Sequence, residues 1–187
     1  MARPRPISVS VSRRLTIAIV SGLSLLALSF PTSVQRAATA PILLTKINST
    51  RAIAVESTNL VAEPFTATAP VPFAVDNRTR IILFSSNLSL ANGETVSAVT
   101  ADAEDGNHQH YPLTVEYVGT VSGFPWMTAV TVRLNDNLGD VGDVLIGISY
   151  AGLTSNRVRV GIGHIGGGPP DDTPPPQPVP DLGLGAS

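Results

Sequence analysis

The chain has 187 residues, 43% of them hydrophobic and 14% charged, no cysteine, and a formal charge of −2. This excludes disulfides, thiolate metal sites and cysteine nucleophiles, argues against a disordered polyelectrolyte, and leaves room for one ordinary domain between two terminal segments. Residues 1–40 hold five of the twelve basic residues (Arg3, Arg5, Arg13, Arg14 and Arg36) and no acid, so the other seven stand against all fourteen acids, a charge near −7. That sign opposes nucleic-acid binding and adhesion to anionic lipid through charge.

Arg3, Arg5, Arg13 and Arg14 lead into the uncharged apolar run Leu15 to Phe30, and Pro31 to Ala40 turns small and polar, the layout of a secretory signal. The run falls short of the roughly 20 residues of a membrane span. Cleavage can follow Ala38-Thr39-Ala40, where Pro41 disfavours the cut, or Ala27-Leu28-Ser29; an uncleaved anchor is the third outcome. Residues 1–40 are read as a signal helix or N-terminal anchor and 41–50 as a linker.

From residue 51 the hydrophobic period is two and β-branched residues dominate. Strands are predicted at Ala52 to Ser57, Val71 to Val75, Arg80 to Ser85, Val96 to Ala103, around Leu113, Val115 and Tyr117, at Val130 to Leu134, Val144 to Tyr150, and Val158 to Ile162. In each, one face is expected in the core and the other in water: Val132, Ile146 and Val160 inward, Arg133, Arg157 and Arg159 outward, with Leu145, Gly147 and Ser149 wet. Asp76-Asn77, Asn92-Gly93, Glu104 to Asn107 and Asn135 to Asn137 supply the turns. Seven to eight short strands with no helical stretch after Pro41 predict an all-β antiparallel sandwich over residues 51–164. From Gly166 the run of glycine and proline predicts an extended, disordered spacer, residues 165–187.

Trp126 follows Gly123-Phe124-Pro125 and is expected to plug the core or a sheet end; exposed, it would instead form with Phe124 and Tyr150 a set of faces on which a sugar can stack. The polar stretch Asp102 to His110 is the best place for a metal, with His108 and His110 on one strand face or the acids and Asn107 around calcium, but it fits no ligand spacing and is expected to be a solvated turn. His108, His110 and His164 lack a Gly-x-Ser-x-Gly partner, so no catalytic residues, metal or cofactor are assigned. Asn48, Asn77 and Asn87 open Asn-x-Ser/Thr sequons.

Arg78 to Phe84, Glu94 to Asp105, Tyr111 to Gly119, Gly142 to Leu145 and Leu153 to Val158 together resemble the immunoglobulin-like β-sandwich module found in acidobacterial exported proteins. The resemblance covers residues 51–164. It implies an immunoglobulin-like fold in the cell envelope or secreted fraction, and no catalytic residues come with it. The chain is therefore expected to be an exported, non-enzymatic structural or adhesive module, with a carbohydrate-binding module and a metal-binding or enzymatic domain on the 102–110 loop as alternatives. Its expected partner is a protein or polysaccharide of the envelope, not nucleic acid, and a membrane only through an uncleaved N-terminal segment.

Overall fold

Alternating apolar and polar side chains give a strand one dry face, which has to be covered by pairing and packing. A computed structural model of the chain describes residues 39–69 and 76–172, which belong to one compact unit. Among them are nine strands and no α-helix: β1 (Ile42–Leu43), β2 (Ala54–Glu56), β3 (Arg80–Ser86), β4 (Val99–Glu104), β5 (His110–Val121), β6 (Phe124–Arg133), β7 (Gly142–Tyr150), β8 (Leu153–Thr154) and β9 (Val158–Ile162). The expected strand Val71 to Val75, the signal segment and residues 173–187 lie outside the described residues.

The strands form one curled antiparallel sheet in the order β1-β3-β6-β5-β4-β7-β8, with β2 also on β3 and β9 also on β7. The curl centres on β5, whose first stretch, His110 to Leu113, pairs with β4 while Thr114 to Val121 pairs with β6. A register irregularity between Val115 and Tyr117 follows the junction, as expected where a long strand bends. Both halves feed one hydrophobic cluster: Ile81, Leu83, Val130 and Val132 from one, Ala103, Val144, Ile146, Val158 and Val160 from the other. The segment after β1 touches both halves, because β2 pairs with β3 while Arg51 bridges to Arg159 in parallel.

The inward assignments of Val132, Ile146 and Val160 hold, all three being fully buried. Four other expectations need correction. The irregularity at Glu116 turns Tyr117 outward, and Val118 packs on the core in its place. Residues 41–50 are more than a linker: Leu43 lies in the core, its N–H donates to the Asn156 side chain, and β1 pairs with Ser85 and Ser86. The outer face of β7 is not wet, since Leu145, outside the main cluster, is 1% exposed opposite Arg159.

The fourth concerns residues 165–172, the first part of the expected spacer, which fold back on the domain. Asp143 N–H donates to Gly166 O (2.8 Å), Arg159 donates to Pro169 O (2.6 Å), and Pro169 is buried. Asp171 takes Arg159 (2.5 Å) and the Thr50 hydroxyl (2.9 Å), and Asp172 takes Arg157. Arg159 and Arg157 are thus covered and paired, and Asp143 between Arg51 (2.7 Å) and Arg159 (3.6 Å) completes the network. Arg133, too, is occupied, by Asp76 (3.1 Å) and Asp136 (3.2 Å). The fold-back depends on a close approach: a Cβ on Gly142, whose φ is +78°, would stand 2.1 Å from Gly166 O.

Candidate binding surface at a hairpin tip

β5 and β6 are joined by the two-residue turn Ser122-Gly123, where Gly123 takes φ +82°, a conformation open to glycine without steric cost. The hairpin outgrows the sheet. On one side β3 ends at Ser86, opposite Met127. On the other, Thr120 pairs with Thr128 and Val121 with Phe124, so Pro125, Trp126 and Met127 have no partner on β5. Such a bulge re-aims side chains, and Pro125 has no N–H to offer a neighbouring strand.

The result is an aromatic tip beyond the end of the core. Thr128 is still buried, its hydroxyl donating to Leu88 O (2.6 Å), but two residues earlier Trp126 is 59% exposed and Phe124 50%. Their rings meet edge to face, with centroids 6.4 Å apart and planes at 90°. Trp126 is thus not the core plug expected from sequence, because the bulge carries it past the last core residue of its strand. Tyr150, the third expected stacking residue, stands elsewhere: it is on β7, half-buried against the core, and its hydroxyl donates to Glu94 (2.6 Å). The carboxylate of Glu94 is held below its ordinary pKa by that hydroxyl and the Ala91 N–H. Ile42, 47% exposed, aligns with Ser86 and Met127 across the strands, on the sheet face opposite to that of Trp126. Sequence reasoning missed Ile42 by assigning it to a linker.

The polar stretch 102–110 is built from internal bonds. Asp105 is buried and accepts from Asn107 N–H (2.8 Å), Gln109 N–H (3.0 Å) and the Tyr111 hydroxyl (3.0 Å). Burial pushes its pKa up, but these donors outweigh it and hold the carboxyl below its usual value. His108 does not share a strand face with His110, since it sits in the turn at φ +60° while His110 opens β5. His108 Nδ1 meets Glu104, His110 Nδ1 meets Asp102 at 2.6 Å, and Glu104 also holds Arg157. The Asp102 contact raises the His110 pKa. His164 repeats the pattern with Asp140 (2.5 Å). Among the described residues no three His, Asp or Glu side chains converge as metal ligands. Beside the fold-back, Asn48, Ser49, Thr50 and Asp171 line a shallow depression of about 480 Å³.

Comparison with protein-family models, with curated proteins and with solved structures found no match.

Proposed function

We propose that the chain is an exported, non-enzymatic adhesive module of the cell envelope or secreted fraction that makes its contact through the tip of the β5–β6 hairpin. The observation that carries this reading is the exposure of Phe124 and Trp126 together on a bulge beyond the core. Large apolar side chains gain about 1.5–3 kcal/mol each on burial, so a pair left in water at a projecting tip is suited to be buried by a partner. We also take the fold to be an immunoglobulin-like sandwich, its two halves hinged at β5. The single hydrophobic cluster and the crossing of the first segment from β3 to β9 support that assignment.

A second reading, a carbohydrate-binding module, draws on the same exposed rings. Stacking on a pyranose favours ring faces lying in one plane or facing each other, whereas these stand at 90° and Tyr150 is not beside them. The adhesive reading is therefore preferred. It is tested by fractionating cells that produce the full chain or a Phe124→Ala, Trp126→Ala variant. The parent is expected in the envelope fraction, with clear loss for a variant of unchanged melting temperature. Equal retention of both would reject the tip as the contact element.

A further inference from the structure

Which partner the tip suits can be read from its surroundings, on the premise that the tip is the contact element. No charged residue occurs between Arg80 and Glu94 or between Glu116 and Arg133, the stretches that contain this end of β3, β5 and β6. Glu94 itself spends its carboxylate on the Tyr150 hydroxyl and the Ala91 N–H. The polar side chains flanking the aromatic pair in sequence are the hydroxyls of Thr120, Ser122 and Thr128, and Thr128 is already bonded to Leu88 O. A sugar site, or a protein interface that fixes one register, adds directional polar groups to its aromatic rings. The tip offers exposed rings beside uncharged residues.

On β3 and β6 the paired charges lie at the far end from the tip, where Arg80 stands opposite Arg133 and Asp76 takes both.

We infer that the tip docks on a lipid bilayer with electrically neutral headgroups, seating Phe124 and Trp126 in the interface. Aromatic rings favour the level of the headgroups, and burial there needs no fixed register. The absence of nearby charge from these stretches makes the attachment indifferent to anionic lipid and to salt. This goes beyond attachment through residues 15–30, because it places a folded element of the domain in the interface.

Trp126 is the sole tryptophan, so its fluorescence reports the tip directly even when the N-terminal segment itself holds the chain to lipid. The full chain is reconstituted on phosphatidylcholine vesicles with plain or brominated acyl chains. The expected result is a blue-shifted Trp126 emission that brominated lipid quenches, unchanged by high salt or by added phosphatidylglycerol. Phe124→Ser should lower the fraction of quenched Trp126, with a tip–lipid equilibrium weakened about tenfold or more. Water-like, unquenched emission from vesicle-bound chain overturns the lipid inference. If purified peptidoglycan then shields Trp126 from a soluble quencher, the tip reading survives with a different partner; if neither lipid nor peptidoglycan shields it, the tip reading falls as well.

Discussion

Two regions of this sheet handle exposed surface in opposite ways. Where the chain folds back after β9, and at the start of β3, the charges have partners: Arg159 with Asp143 and Asp171, Arg157 with Glu104 and Asp172, Arg80 with Asp76 and Glu116. At the hairpin tip Phe124 and Trp126 touch each other but remain in water. The first region is covered by residues 166–172; the rings of the second are exposed. The proposed contact through the aromatic tip rests on this contrast, although the charged region is much the richer in polar groups.

The comparison assumes a common core, and the largest expected effect is there. Val132→Asp places an unpaired charge at a fully buried position shared by both halves and should unfold the domain, since the cost of several kcal/mol rivals a total stability of about 5–15. Arg133→Ala, one residue away on the outer face, loses the half-exposed pairs to Asp76 and Asp136 and should cost roughly 1 kcal/mol or less. Thermal melts of the two variants check both, and a folded Val132→Asp protein would contradict the assigned register.

The fold-back can be broken selectively. Gly142→Val sets a side chain against Gly166 O at a positive φ and should cost about 2–3 kcal/mol, with new protease cleavage around residues 164–172. Emission from Trp126 should not change. A concurrent change at the tip would mean that the two regions are coupled.

Acid gives a smaller effect with a definite sign. The Arg80 guanidinium, helped by the Arg78 N–H, lowers the Asp76 pKa to about 2, and Arg157 lowers that of Asp172. Burial raises the Asp171 pKa, but Arg159 and Thr50 outweigh it and the net direction is down. A carboxyl depressed in the folded state contributes stability above its unfolded pKa of about 3.9 and loses it as pH falls through the folded value. Hydrogen exchange of the β9 and fold-back amides should therefore accelerate as pH falls from about 5 to 2, beyond the intrinsic pH dependence of exchange. Phe124 and Trp126 carry no group that titrates there, so the tip amides should follow the intrinsic dependence alone.

How much of this was legible in the sequence follows from the range of each interaction. Alternation is local, so Val130, Val132, Val158 and Val160 could be assigned inward correctly. The bulge at Glu116 could not be read, because an extra residue in a strand looks like any other until its partner is known, and it reversed Tyr117. The fold-back was hidden for a related reason: glycine and proline announce the entropy of a spacer, whereas Asp171 and Asp172 find Arg159 and Arg157 twelve and fifteen residues away. Ser122-Gly123 did carry a hairpin signal, and with it the tip could have been found. How far that hairpin projects depends on where β3 stops, which the sequence of β5 and β6 does not contain.

The central claim, that the aromatic tip is open in the free protein, is tested most directly by the emission of its single tryptophan in the folded protein and after denaturation. The signal is read in chain released from lipid and envelope material. The structure predicts a water-like emission maximum in the native state, ready access for a soluble quencher, and little further red shift on unfolding. A native emission that lies well to the blue and moves to the red on unfolding would show Trp126 packed inside the domain and would contradict the account.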